Sequence, residues 1–423
     1  MKIKEVLDKL DYMPDKEEIA FIKNEAEQTC KDIDKEIKKQ KIKAETFIGG
    51  SLAKSTLVKK DKYDVDIFVR FDWQYENLSE KLEKILLSVA KRKKANIDKI
   101  HGSRDYFRLE KNNLIFEIIP VLKITKPKEA RNVTDLSYFH VNYVKKRVNN
   151  DLAREIILAK AFCKAHGVYG AESYIQGFSG YGLECLSIYY GGFEKMLRAL
   201  VKVKEREIID PEKKYKIKDS VLLEINESKL QSPIVLIDPT WKERNVLAAL
   251  SRESFHKFQN AAIIFLKNPG ISFFEEKKID EKKMKEKAKK RKADFSCVFL
   301  KTDKQTGDIA GTKLKKFVNF LTREIESFYF ILDKEFLYDE EQSANFYICA
   351  KSKKEIVKIG PPESMKEACT SFKKKNRNIF VKNGLLHSKI KIGFSLPKFL
   401  IDFKRKNLRK LREMGITGMK ILK

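Results

Sequence analysis

The sequence predicts a multidomain protein of the α+β class, and three observations carry the prediction. At 423 residues the chain is longer than one hydrophobic core serves, so roughly two to four domains are expected. Strand-like segments gather before Ile124 and again after Phe295, while residues 150–200 are helical. A hydrophobic content of 42% is enough to build a core for each part. The expected domains are 1–140, 141–274 and 275–423.

Residues 1–45 read as helices, because Leu7, Leu10, Ile19, Ile22 and Ile33 recur at helical spacing and Lys and Glu fill the outer faces. A first strand is expected at Thr46–Ile48. The stretch that follows, FIGGSLAKSTLVKKDKYDVDIFVRF from Phe47 to Phe71, organises the rest. It turns through Gly49-Gly50-Ser51, passes a short helical piece, and enters a strand carrying Asp64 and Asp66. Side chains two apart on a strand share a face, so both carboxylates point one way and Val65, Ile67 and Val69 the other. Paired carboxylates repel, and a divalent cation between them relieves the repulsion. The Gly-Gly-Ser turn offers backbone N–H groups to an anion. A phosphate cradle beside a metal-binding carboxylate pair is equipment for phosphoryl transfer. In this order and spacing the residues resemble the nucleotidyltransferase signature of the DNA polymerase β superfamily, G-[GS]-S followed by [DE]-h-[DE].

An amphipathic helix is expected over Leu78–Ala95, then strands at Ser103–Glu110 and Leu114–Ile124 joined by a hairpin turn at Lys111-Asn112-Asn113. The second strand, LIFEIIPVLKI, is apolar almost throughout except for Glu117. A lone carboxylate there is either at an exposed edge position or is the third ligand of the metal site; the metal reading assigns Asp64, Asp66 and Glu117 together. His140 follows a helix-start signal at Thr134-Asp135. A helix closes at His166-Gly167, glycines 170–182 mark a loop, and a second helix runs from Tyr181 to about Tyr190. The run EEKKIDEKKMKEKAKKRK (275–292) lacks apolar periodicity and reads as a charged helix end joining two domains. Beyond Phe295, the strands FSCVFLK and NFYICAK flank one long helix, Thr312–Phe328. The last stretch, LPKFLIDFKRKNLRKLREMGI, is a basic helix suited to phosphate contacts.

Lys and Arg number 89 against 60 acids, a formal charge of +29. Such an excess implies a polyanionic partner, nucleic acid first and an acidic membrane second, unless the whole proteome is lysine-biased. The 11% aromatic content serves cores and, in part, stacking on unpaired bases. Six cysteines lie far apart with no C-x-x-C, which excludes a zinc ribbon and suits a reducing compartment. No apolar run is long enough to span a bilayer, and MKIKEVLDKL reads as an amphipathic helix rather than a signal. The expectation is a cytoplasmic protein with no membrane partner.

Three further segments narrow the resemblance. HGVYGAE…GFSGYGLECLSIYYGGF, IVLIDPTWKERNVLAALSRESFHKF and KIGPPESMKEACTSFKKK resemble the archaeal-type (class I) CCA-adding enzymes, the tRNA nucleotidyltransferases, from about Phe47 to Phe372. The resemblance implies a polymerase β-like palm (nucleotidyltransferase) domain, a mostly helical central domain and an α+β C-terminal RNA-binding body and tail. It implies attack of an RNA 3′-hydroxyl on a nucleoside triphosphate with Mg²⁺ held by Asp64, Asp66 and Glu117. It also implies ATP and CTP as substrates, tRNA gripped at its acceptor and T-arms, and a homodimer. Carried over by motif, Gly50, Ser51 and Lys54 would bind phosphates, His140, Lys160 and Tyr169 would contact triphosphate and sugar, and Arg244 would reach the base edge. From the residues alone, Arg244 pairs with Glu243 or Asp238 instead. The sequence departs from the family at Lys54, where an Arg is usual, and at Glu117, where an Asp is usual; the first loses a bidentate fork. Alternative readings are another template-independent enzyme, such as a poly(A) polymerase or oligoadenylate synthetase, or a catalytically silent tRNA-binding protein.

Overall fold

The computed structural model describes residues 2–93, 96–102, 104–217, 220–276 and 279–422. Residues 94, 95, 103, 277 and 278, on which parts of the expected elements fall, lie outside the described residues; Ser103 is the expected start of a strand. The chain forms two units, Met1–Lys277 and Lys278–Lys423.

The first unit holds two hydrophobic cores. Helices α1 (Ile3–Leu7) and α2 (Lys16–Lys39) come first. Asp15 caps α2 by accepting from the Glu18 amide at 2.7 Å, and Glu18 returns the contact to the Asp15 amide at 3.1 Å, a reciprocal capping box. Then follow β1 (Ala44–Ile48), the single turn α3 (Gly50–Ala53), β2 (Tyr63–Phe71), α4 (Leu78–Lys93), β3 (Ile97–Ile100), β4 (Tyr106–Lys111) and β5 (Leu114–Leu122). The five strands form one sheet in the order β1-β2-β5-β4-β3. Strands β2 and β5 are parallel and the other neighbours antiparallel. The β4–β5 hairpin turns at Asn112 and Asn113, both at positive φ (52° and 62°), as a tight twisted hairpin requires. Val65, Ile67 and Val69 with Phe116 and Ile118 bury one face of this sheet against Ile22, Ile33 and Ile37 of α2 and Leu82, Ile85 and Leu86 of α4. The carboxylates of β2 and β5 lie on the opposite face.

The second core is helical. It is built from α5 (Ser137–Arg147), α6 (Asn150–Ala165), α7 (Gly180–Tyr190), α8 (Phe193–Leu200) and, after the parallel strand pair β6 (Glu207–Ile209) and β7 (Ile234–Leu236) with the short α9 (Val221–Glu224) between them, α10 (Arg252–Lys267). Phe162, Phe178, Phe193, Phe258, Phe265 and Phe274 pack at its centre. Val6 and Leu7 of α1 also lie in this core. The first helix therefore packs with the helical half although it precedes the sheet in sequence.

The second unit begins with α11 (Glu281–Lys290), β8 (Asp294–Lys301), α12 (Asp308–Glu326), β9 (Tyr329–Tyr338) and β10 (Ser343–Ser352). It continues with β11 (Glu355–Pro362), α13 (Lys366–Lys375), β12 (Ile379–Lys382), β13 (Leu385–Lys391), α14 (Leu396–Lys406), α15 (Leu408–Glu413) and β14 (Gly418–Leu422). A four-stranded antiparallel sheet, β14-β8-β10-β9, is covered by Leu314, Phe317 and Leu321 of α12 and Leu400 of α14. A three-stranded sheet, β11-β13-β12, was not expected from the sequence. Its Gly360 lies under Phe372 of α13, where an added Cβ would come 2.8 Å from the ring, so a larger residue there would push the ring aside. The charged run 275–292 does carry one apolar pair at helical spacing, since Met284 and Ala288 of α11 are buried beside Cys349. No helix of the described residues is long and apolar enough to cross a membrane.

Candidate active site

The carboxylates meet across neighbouring strands. In the parallel β2–β5 register Asp66 stands opposite Glu117, and in the antiparallel β5–β4 register Glu117 stands opposite Arg108. Asp64, two residues before Asp66, shares its face. Burial first, then the negative charge of Glu117, push the Asp66 carboxyl up to about 6 against the pull of Lys54, with Asp64 adding to the rise. Lys60 donates to Asp64, and Arg108 Nη2 donates to Glu117 Oε1 at 2.9 Å. Among the described residues, no three His, Cys, Asp or Glu side chains close around a common point. The donor set nevertheless suits a divalent cation: it is all carboxylate oxygen, it shares one face, and Asp66 carries the cost of unrelieved like charge.

The turn from β1 presses against this face. The Gly49 amide donates to the Asp66 carbonyl at 2.9 Å. Gly50 has φ +57°, and a Cβ there would lie 1.7 Å from Asp66 Oδ2, so only glycine fits beside the carboxylate. Ser51 follows within α3, and Lys54 caps that turn.

Lys54 and Lys160 converge on a residue that sequence reasoning missed. Glu184 of α7 is fully buried. Its Oε2 accepts from Lys54 Nζ at 2.7 Å, and its Oε1 accepts from Thr56 Oγ1 and Lys160 Nζ, both at 2.8 Å. Burial would raise the Glu184 carboxyl, but Lys160 and Lys54 outweigh it and hold it at about 2. Lys160 also donates to the Thr56 carbonyl at 3.1 Å and hydroxyl at 2.9 Å. An ammonium has three protons to donate, so this set engages the group fully. Thr56 and Lys54 come from the sheet half and Lys160 and Glu184 from the helical half, so the network ties the two cores together.

A second anchor is Asp238, just after β7, read from the sequence only as one of two pairing partners for Arg244. Its Oδ2 accepts from His140 Nε2 at 3.0 Å and from Arg244 Nη1 at 2.6 Å. The residue-level expectation that Arg244 pairs with Asp238 is thus met. His140 stacks on Tyr181, with ring centroids 4.0 Å apart and 24° between planes. Lys54 Nζ lies 5.9 Å from the centroid of the same Tyr181 ring. Tyr169 sits beside the start of α7, where a Cβ on Gly180 would be 3.0 Å from its hydroxyl. Burial, with Glu184 adding to it, raises the Tyr169 hydroxyl well above its ordinary value. Four of the seven expected nucleotide-binding residues therefore fall into two linked groups, Lys54 and Lys160 about Glu184, and His140 and Arg244 about Asp238. The sequence signal for both anchors was a single carboxylate in an apolar run, Glu184 in GYGLECLS and Asp238 in IVLIDP.

The fold and the carboxylate face define a nucleotidyltransferase. In fold, 66% of the chain superposes on 98% of Cid1, a protein described for its RNA terminal uridylyl transferase activity, with a TM-score of 0.50 and 12% sequence identity. Residues 154–275 match the family model of the tRNA nucleotidyltransferase second domain. The chain is 34% identical over 365 residues to the CCA-adding enzyme of Nanoarchaeum equitans, covering 83% of this chain and 85% of that protein. It is 31% identical over 383 residues to the CCA-adding enzyme of Saccharolobus islandicus, covering 88% of this chain and 87% of that protein. The chain belongs to the family of archaeal CCA-adding enzymes.

Proposed function

We propose that this enzyme adds or repairs the 3′-terminal CCA of tRNA from CTP and ATP without a nucleic acid template. The RNA 3′-hydroxyl attacks the α-phosphate, the new phosphodiester bond forms, and pyrophosphate leaves. The observation that carries this reading is the β2–β5 register, which sets Asp66 beside Glu117 on the face shared by Asp64 and abutted by Gly50. These three carboxylates would hold Mg²⁺, which supplies charge neutralisation at the phosphates and a lowered pKa at the attacking hydroxyl.

The remaining roles belong to the chain's own groups. The Gly50 and Ser51 amides and the Ser51 hydroxyl bind the outer phosphates. Lys54 spends one donor on Glu184 and keeps the rest of its ammonium for phosphate. Lys160 acts on the triphosphate through Glu184 and Thr56, which engage its donors. His140 and Tyr169 face the sugar and triphosphate, and Arg244 meets the base edge. In the second unit, the basic residues of α14 and α15 grip acceptor-arm and T-arm phosphates. The enzyme works in the cytoplasm as a homodimer. A poly(A)-type activity is not favoured, because the relatives matched over most of the chain are CCA-adding enzymes. Pyrophosphate release tests the reading. It should appear when CTP and ATP meet a tRNA lacking CCA, and be absent with a tRNA already ending in CCA. It should also be absent in Asp64→Ala. Release that continues on the completed tRNA would refute the reading.

A further inference from the structure

Asp238 divides its two oxygens between two tasks. Oδ1 accepts from the Thr240 amide and hydroxyl, both at 2.7 Å, and from the Tyr181 hydroxyl at 3.3 Å. It thereby holds the loop that leaves β7. Oδ2 accepts from Arg244 Nη1 at 2.6 Å and His140 Nε2 at 3.0 Å. The residue is fully buried, and both oxygens are engaged by the chain's own donors. We propose that Asp238 is a positioning residue that sets the base selectivity of the pocket by fixing Arg244 and His140 on one oxygen. The inference rests on the reading that Arg244 meets the base.

The chemistry of the bases explains why fixing matters. Cytosine and adenine each present an exocyclic amine beside an unprotonated ring nitrogen. Uracil and guanine present a carbonyl beside a ring N–H. A guanidinium has only donors. Held still, it bonds the ring nitrogen of C or A and sets donor against donor for U or G, a penalty that builds selectivity by exclusion. Released from Oδ2, the fork can swing to the carbonyl of U or G, and the exclusion is lost. His140 is held in the same way: Nε2 carries the proton, because its carboxylate partner is an acceptor. Burial pushes the imidazole down despite Asp238, with Arg244 and Lys54 adding to the fall. The anchored ring is therefore neutral and in one tautomer.

Asp238→Asn separates the two tasks. The Thr240 amide is a donor, so the variant's carbonyl oxygen stays on that side and its NH₂ turns to Arg244 and His140, donor against donor. The loop keeps its anchor while the aim of the fork is lost. We expect kcat/KM for CTP to fall about 10- to 100-fold, as for loss of a charged hydrogen bond, and the CTP-to-UTP ratio to fall about tenfold. Asp238→Glu keeps the charge and shifts it by a methylene; it should lower the same ratio, and it carries the test if Asp238→Asn does not fold. Thr240→Ala touches only Oδ1 and should lower the melting temperature with the ratio unchanged. An unchanged ratio in both Asp238 variants, or an equal fall in Thr240→Ala, would overturn the inference. Wild-type extension of a tRNA lacking CCA is run alongside. Its absence refutes the underlying reading and this inference with it, whereas wild-type extension with unaltered variant selectivity refutes this inference alone.

Discussion

Glu184→Ala should destabilise the first unit more than any loss at its surface. The carboxylate is fully buried and receives Lys54, Lys160 and Thr56. The side chains of Lys54 and Lys160 are only 11% and 4% exposed, so removing their partner strands two ammonium groups away from water. Breaking one buried pair in this way costs about 3–5 kcal/mol. An independent route gives a similar size. A fall of the Glu184 carboxyl from its ordinary 4.5 to about 2 corresponds to roughly 3 kcal/mol, at about 1.4 kcal/mol per pH unit. For a unit this large the thermal midpoint should drop by roughly 6–20 °C. Because the folded value is depressed, the stabilisation is full above pH 4.5 and is lost as pH falls from 4.5 towards 2. Urea melts of wild type and Glu184→Ala at pH 7 and pH 3 measure both effects. The gap between the two proteins should be wide at pH 7 and roughly halved at pH 3, midway through the loss. A gap below about 1 kcal/mol at pH 7, the size of an exposed ion pair, would refute the reasoning.

Other positions give separate expectations. Gly50→Ala places a Cβ 1.7 Å from Asp66 Oδ2 at φ +57°; melting should show a loss of about 1–2 kcal/mol from the backbone alone, while nucleotide addition collapses because Asp66 is displaced. The Asp66 carboxyl is raised from 3.8 to about 6, so without a cation its ionisation weakens the fold increasingly between those values and fully above pH 6. Added Mg²⁺ should therefore raise the melting temperature more at pH 8 than at pH 5, and EDTA should reverse the gain; equal gains at both pH values would contradict the assignment. With a formal charge of +29, tRNA affinity should fall linearly on a log–log plot against salt. Lys404→Ala and Arg405→Ala should each reduce the slope by about one without changing which nucleotide is added.

What the sequence made legible was local. Asp64 and Asp66 could be paired because strand alternation fixes their shared face, and the Asn112-Asn113 turn because two consecutive asparagines favour a tight hairpin. The long-range partners of the anchors were not legible, although the local Arg244–Asp238 pair was. Glu184 meets Lys54 across 130 residues, and Asp238 meets His140 across 98, and no local pattern encodes contacts at that separation. Lys160 shows the consequence: the resemblance placed it near the triphosphate and sugar, but its ties to the buried Glu184 and to Thr56 became visible only in the fold. Strand β3 escaped notice because Ile97-Asp98-Lys99-Ile100 is short and half polar, as befits the edge of a sheet. The sheet β11-β13-β12 was missed for a related reason. Val357 and Ile359 are exposed, so its strands lack the clean alternation of a half-buried sheet.

The most direct test extends three tRNA transcripts, ending before CCA, after C and after CC, with each triphosphate singly and mixed. The expected result is addition of C, then C, then A, with no further growth and no addition in Asp64→Ala. A long run of A, or no addition to any transcript while tRNA still binds, would contradict it.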